Sequence, residues 1–347
     1  MQNIRIDLAS DTATKPTAAM REFMCKAEVG DEQRKEDPSV NRLVEMVCEL
    51  LGMEDAIFLP SGTMCNEIAF RVHCRPGDEI IMDKTSHAWL FETGGAAALS
   101  GALIYTLDGN RGIFTPEQVK KAIRPKTNHA PRSRVVSIEQ TSNVGGGAVW
   151  PLQTINEVYA VADELGLAKH MDGARLLNAV VASGVSADSF AKNSDSVWID
   201  FSKGLGAPVG AALAGSKEFI AEAWRWKHQF GGAMRQAGII AAAGIYALRH
   251  HVDRLADDHV NAQILARGLA DIDGIKVEPV ETNLVFIDLS NLNISSLTFN
   301  RMLMENGIRL NWVDEFRLRA ATHLDISQSQ IQEALQVIRD GIRQIAC

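Results

Sequence analysis

The stretch Asp195–Gly215, DSVWIDFSKGLGAPVGAALAG, sets one lysine, Lys203, between an apolar run, Val197 to Phe201, and a loop holding Gly204, Gly206 and Gly210. Burying an ammonium is costly unless it is paired or gives up its proton. A lysine that gives up its proton is a nucleophile for a carbonyl carbon and forms a Schiff base. The glycines that follow let backbone come close to something bound. Thirty-one residues earlier the strand-like run LAKHMD ends on Asp172, with Arg175 just beyond it in GARL. The run AIFLP leads into SGTMCN, a small-residue turn entering a helix whose free N–H groups, with Gly62 and Thr63, suit a phosphate. EIIMD is followed by KTSHAWLFETGG with His87, and RVVSIEQ by the glycine loop TSNVGGG. In parallel sheets ligands gather at the carboxyl ends of strands, where all of these residues stand. A lysine for an aldehyde, an acid that keeps a pyridine nitrogen protonated, and a turn for a phosphate are what pyridoxal 5'-phosphate requires.

Other chemistries fit less well. GLGAPVG is not the dinucleotide fingerprint G-x-G-x-x-G, because its last glycine comes one residue late and it follows the lysine instead of opening a βαβ unit. The cluster RHHVDRLADDH holds many potential ligands but has neither H-x-x-x-H spacing nor a cysteine, so it reads as a solvated helix face and no metal is expected.

The elements that must position these residues alternate along the chain. Strand-like runs at 56–60, 79–83, 103–107, 134–140, 167–172 and 196–201 are separated by helical patterns such as NRLVEMVCELLG (41–52) and TINEVYAVADELG (154–166), each closed by glycine. That order predicts an α/β protein with a mostly parallel central sheet. From about residue 255 the pattern becomes helix, two strands, helix, strand, helix. It predicts a smaller C-terminal α+β domain over 255–347, after a large domain over 1–254.

Composition narrows the partners. The chain has 347 residues, 46% hydrophobic and 22% charged, and a net charge of -8 without a strongly basic run, which argues against nucleic acid. Five cysteines, at 25, 48, 65, 74 and 347, form no C-x-x-C pair, the pattern of a reducing compartment. MQNIRIDLAS carries no signal-like apolar region, and the longest apolar run, AGIIAAAGIYAL, has 12 residues. The expectation is a cytoplasmic protein with no membrane partner.

Seven segments carry a family resemblance: DLASDTATKPT, VGDEQRKEDPSV, FLPSGTMCN, SHAWLFETGGAA, HMDGARLLNAVVASG, SKGLGAPVG and GGAMRQAGIIAAAGIYAL. In this order and spacing, over nearly the whole chain, the sequence resembles the low-specificity L-threonine aldolases, pyridoxal-phosphate enzymes of fold type I. The resemblance implies a homotetramer, with active sites shared across a dimer, that cleaves small-molecule β-hydroxy-α-amino acids to glycine and an aldehyde. It places the Schiff base on Lys203, the pyridinium partner on Asp172, phosphate contacts on Gly62, Thr63 and Ser202, and ring stacking on His87. It makes Ser10, Arg175 and Arg319 candidates for the substrate carboxylate, sets Glu92 near the reacting end, and brings Arg235 to the cofactor phosphate from a neighbouring subunit.

Three positions depart from the family pattern: Arg34 stands for a tyrosine, Ser142 for a histidine, and His228 for a lysine, with Lys227 one place earlier. The resemblance implies that the first two lie toward the substrate's side chain and hydroxyl, and an arginine there offers a planar fork for a second carboxylate. That raises an acidic β-hydroxy amino acid as an alternative substrate, against pairing of Arg34 with Glu32, Glu36 or a neighbouring subunit. The reading is a retro-aldol lyase in which His87 is the base. β-Elimination or racemisation on the same scaffold, or a non-catalytic binding protein, stand as alternatives.

Overall fold

Seven strands build the main sheet: β1 (Asp55–Leu59), β2 (Asp78–Asp83), β3 (Leu103–Leu107), β4 (Arg132–Glu139), β5 (Ala168–Gly173), β6 (Ser196–Asp200) and β7 (Ala211–Gly215). They belong to a computed structural model that describes residues 3–346, with side chains to 343; Cys347 lies outside the described residues. Their order across the sheet is β1-β7-β6-β5-β4-β2-β3. β7 alone runs antiparallel, to both β6 and β1, while the other pairs are parallel. Because helices cover both faces, β2, β5 and β6 are buried along their whole length. Acidic residues in β2 are tolerated because they are paired. Arg132 bonds Asp78, and Arg124 bonds Glu79.

Six of the seven strands are those the sequence pattern predicts. The seventh, AALAG, escapes it because alanine and glycine lack the branched and aromatic side chains that mark a strand. The helices Pro38–Leu51 and Leu152–Leu165 end on Gly52 and Gly166, whose φ values of 64° and 69° are the left-handed conformation that closes a helix.

The smaller unit packs the helices Leu255–Ala270, Ser296–Glu305 and Gln328–Ala346 on a four-stranded sheet centred on Leu284–Asp288 and Arg317–Ala321, which pair antiparallel. Its core also takes Ile6 and Leu8. The strand Ile6–Asp7, expected with the large unit, pairs parallel with Ile308–Arg309. The residues that follow, Ser10 to Thr14, therefore leave the smaller unit and enter the larger one. This crossing brings Ser10 and Asp11 to the carboxyl ends of the main strands.

Candidate active site

A cavity of about 590 Å³ lies at those carboxyl ends. Its lining includes ten residues expected from the sequence: Ser10, Gly62, Thr63, His87, Glu92, Asp172, Arg175, Ser202, Lys203 and Arg319. They come from six separate stretches of chain, and the strand ends bring them together.

Lys203 stands three residues past β6. Its carbonyl accepts the Gly206 N–H at 2.9 Å and the Thr14 hydroxyl at 2.9 Å, and Gly206 takes a φ of 74° to close the turn. The Lys203 Nζ lies 3.4 Å from Asp200 Oδ2 and 5.6 Å from the centre of the Trp198 ring. The expectation that Gly204, Gly206 and Gly210 approach a ligand is corrected. A Cβ at those positions would strike Leu255, Leu324 and Phe58 respectively, so these glycines admit the protein's own side chains. Gly62 is demanded in the same way, since a Cβ there would lie 2.2 Å from the Trp198 ring.

The helix Gly62–His73 points its N-terminus at the cavity, and Ser61 Oγ accepts the Met64 N–H. The N–H groups of Gly62 and Thr63 thus remain available for an anion. Ser202, also expected at the phosphate, donates both its N–H and its hydroxyl to Asp200 Oδ1, at 2.6 and 2.7 Å.

Asp172, at the end of β5, accepts from Ala174 N–H at 3.0 Å and from the side-chain amide of Asn66 at 2.9 Å. The Asn66 orientation is fixed by Trp198, whose indole nitrogen can only donate and does so to Asn66 Oδ1 at 2.7 Å. The amide nitrogen must therefore face the carboxylates, and it bonds Glu92 Oε1 at 2.9 Å as well as Asp172. His170 also bonds Asn66 Oδ1 through Nε2, at 3.0 Å. Burial, helped by the neighbouring His73, takes the His170 pKa down to about 3 and keeps it neutral.

His87 begins the short helix after β2. Its Nδ1 lies 2.9 Å from Glu92 Oε1, and its backbone N–H donates to Glu139 Oε2 at 3.1 Å. Burial opposes a charge on the imidazole, but the Glu92 hydrogen bond and the carboxylates of Asp172 and Glu139 outweigh it and hold its pKa above the ordinary value. With Nδ1–H given to Glu92, the neutral ring has its lone pair on Nε2. Glu92 and Glu139 are both pushed upward, by burial first and by the charge of Asp172 second among the raising causes.

Two arginines, Arg175 and Arg319, complete the lining. Arg175 makes a bidentate pair with Asp11, two bonds of 2.7 Å, and Asn283 adds a third bond to that carboxylate at 3.0 Å. Burial would raise Asp11, but the Arg175 guanidinium overrides it and holds the carboxyl far below the usual range. Arg319 donates to Asn143 Oδ1 at 2.5 Å and to the Ala9 carbonyl at 3.1 Å, while its Nε is buried without a partner. Burial and the adjacent charge of Arg175 bring the Arg319 pKa down to about 10. A buried, unsatisfied donor beside a second guanidinium is a site that an anion would complete.

Four expected residues do not line this cavity. Arg34 is 73% exposed, with Asp31 as its ionic neighbour at 3.9 Å, so the expected carboxylate fork is not formed in its own protomer. Arg235 is 63% exposed and bonds the same Asp31 at 2.8 Å. Ser142 is buried against Gly112 and Gly145, whose missing side chains make room for its hydroxyl, and the next residue, Asn143, reaches the cavity instead. His228 is exposed, and Lys227 is the buried member of the pair, its Nζ bonded to Glu32 at 2.9 Å and to the Phe58 carbonyl at 2.8 Å. One residue along a helix turns the side chain by about 100°, which sends the cation inward at 227.

Sequence reasoning overlooked Asp11, Asn66, Glu139, Asn143, Trp198 and Asp200. Asp200 and Trp198 carried a signal, standing in the same strand-end segment as Lys203, and Asp11 sits next to Ser10. Asn66 lies inside a helix and carried none.

A seven-stranded, mostly parallel sheet with a lysine and an acid at adjacent strand ends, joined to a smaller α+β unit, is the architecture of the fold type I enzymes. The chain belongs to the beta-eliminating lyase family, whose profile matches residues 7–292. It is 41% identical to the low specificity L-threonine aldolase of Escherichia coli K12 over 94% of this chain and 96% of that one. Its fold matches the threonine aldolase of Leishmania major with a TM-score of 0.84 at 21% identity, covering 97% of this chain and 99% of that one. It also matches a serine palmitoyltransferase solved with pyridoxal phosphate, with a TM-score of 0.74 at 20% identity, covering 98% and 88% of the two chains.

Proposed function

We propose that this lyase cleaves the Cα–Cβ bond of threonine-type β-hydroxy-α-amino acids, releasing glycine and an aldehyde, with pyridoxal phosphate held in the cavity described above. The donor set fits that cofactor. Lys203 is the amine for its aldehyde, Asp172 the carboxylate for its ring nitrogen, and the helix N-terminus at Gly62 and Thr63 the place for its phosphate, which Ser202 would join only by turning its hydroxyl away from Asp200. His87, in the same lining, would flank its ring. When bound, the cofactor supplies a conjugated, electron-accepting ring that stabilises the electron pair left on Cα.

The chain's own residues do the rest. Asn66, locked by Trp198, keeps Asp172 oriented as an acceptor. Arg319 and Arg175, with Ser10, hold the substrate's α-carboxylate, which selects the bond to be broken by fixing the amino acid's orientation. His87 takes the β-hydroxyl proton at Nε2, and Glu92 on Nδ1 stabilises the imidazolium that results. As the O–H bond breaks, its electrons form the aldehyde C=O and the Cα–Cβ pair passes to Cα. A proton returned to Cα completes glycine. The observation that carries this reading is that two neighbouring guanidiniums, Arg175 and Arg319, line the same cavity as Lys203, Asp172 and His87.

The assembly belongs to the same proposal. Phe91 lines the cavity yet is 57% exposed, next to exposed Trp89 and Leu90. An apolar rim of this kind supports a second subunit completing the site, with Arg235 as its contribution, in a dimer or a tetramer. Among the described residues no helix is long and apolar enough to cross a membrane. The four described cysteines are unpaired, which supports a cytoplasmic location.

The test is product identification with purified protein, added pyridoxal phosphate and a panel of β-hydroxy amino acids. Glycine plus aldehyde is the expected outcome. A keto acid plus ammonia would assign β-elimination instead, and no turnover would leave a binding protein.

A further inference from the structure

Glu67 is a buried carboxyl that the reaction above does not use. It sits one residue past Asn66 in the helix Gly62–His73 and is 3% exposed, and neither of its oxygens has a hydrogen-bond partner. Its Oε1 lies against Gly95, where a Cβ would come within 1.9 Å of it. Gly95 in turn donates its N–H to the Glu92 carbonyl at 2.9 Å, so the Glu67 carboxyl is pressed on the turn that carries Glu92. Glu92 is 4% exposed and has one orphan of its own. Its Oε1 accepts from His87 and Asn66, but Oε2 has no partner. Three unsatisfied carboxyl oxygens thus belong to two residues held at one turn.

Among the described residues no lysine or arginine pairs with Glu67, and Arg71, four residues on in the same helix, lies over the Trp226 ring and bonds the Cys74 carbonyl instead. The packed helix Gly95–Ser100 carries no charged side chain. On the strands beneath, Glu139 accepts the backbone N–H groups of His87 and Asn143, Asp172 is bonded to Asn66 and Ala174, and His170 to Ser196 and Asn66. On the other side, Lys227 is committed to Glu32. Two adjacent buried carboxyls cannot both ionise.

We propose that Glu67 and Glu92 hold one proton between them, on Glu67, whose O–H is donated to Glu92 Oε2. The donated bond replaces the water Glu92 has lost and keeps it an anion against His87 Nδ1. Glu67 is then a positioning residue for the base of the proposed reaction, which this role rests on. The direction of its titration agrees. Burial, and then the charge of Glu92, push the Glu67 pKa up to about 8.

The test uses the holoenzyme and three readouts. In the infrared, wild type at pH 7 shows a protonated-carboxyl C=O band that Glu67→Gln lacks. In thermal unfolding, the folded wild type keeps a proton that the unfolded chain releases, so its stability falls as pH rises from about 4.5 to about 8. Glu67→Gln does not share that fall, and its Tm gains on that of wild type across this window. In kcat/KM profiles, Glu67→Gln, which still donates an N–H, keeps the acid limb in place. Glu67→Leu leaves Glu92 without a donor and moves the limb to lower pH. The first two readouts do not depend on which reaction is catalysed, so they fail only if the shared proton is wrong. A missing band difference, or wild-type and Glu67→Gln stabilities that run parallel across that window, would show an ionised Glu67 and overturn the proposal. Equal limb shifts in both variants would overturn the positioning role.

Discussion

Replacing Asp11 by alanine strips the buried Arg175 guanidinium of both its 2.7 Å partners and leaves Asn283 with one acceptor fewer. Asp11 is fully buried and Arg175 nearly so, and Arg319 adds a second positive charge nearby. Breaking one side of such a pair typically costs about 3–5 kcal/mol, because the remaining charge keeps its desolvation penalty. Asp11→Ala should therefore lose about that much in chemical unfolding at pH 7. Removing the stranded charge as well, in Asp11→Ala/Arg175→Met, should recover part of the loss. The effect has a pH signature. Asp11 has a folded-state pKa held well below its unfolded value, so its contribution is fully present above the ordinary carboxylate range and is lost as pH falls toward the folded value. The gap between wild type and Asp11→Ala should accordingly narrow below about pH 4. A loss under about 1 kcal/mol, or a double variant no more stable than the single one, would refute the assignment of Arg175 to a buried pair that supports the carboxylate end of the site.

Three further outcomes follow from the same geometry. Arg319→Ala removes the donor left for the substrate carboxylate, and since truncating a buried charged partner costs about 2–5 kcal/mol, kcat/KM should fall at least about tenfold; an unchanged value would move the carboxylate elsewhere. The base must be neutral to act, and His87 is held above its ordinary pKa, so activity should fall as pH drops through that raised value. Glu92→Gln should shift the limb downward, and a limb indifferent to it would separate His87 from the proton transfer. Lys227→Met breaks a fully buried ion pair with Glu32 and should cost about 3–5 kcal/mol, whereas exposed His228→Ala should stay within about 0.5 kcal/mol; the reverse order would mean that the helix is turned the other way.

The strand ends were legible because apolar runs and the chemistry that follows them are local. Lys203 and Asp172 needed only the rule that ligands sit where parallel strands end. What stayed hidden depends on contacts far apart in sequence. Ile6 pairs with Ile308, and that pairing, with the bonds of Asp11 to Arg175 and Asn283, carries Ser10 and Asp11 into the site. Asn66 looks like any polar helical residue until Trp198, 132 residues away, fixes its amide. Lys227 and His228 are adjacent in sequence, and which of them points inward depends on the helix phase against β1. The glycines after Lys203 were read for the wrong partner, since steric demand from Leu255 or Phe58 looks the same in sequence as demand from a ligand.

The central claim is that Lys203 carries the cofactor. Reducing the holoenzyme with borohydride, digesting it and mapping the peptides by mass spectrometry reads this directly. The account predicts a pyridoxyl-phosphate group on Lys203, in the peptide containing DFSKGLG, and none after Lys203→Ala. A label on Lys227 or another lysine, or no label from protein incubated with excess pyridoxal phosphate, would contradict it.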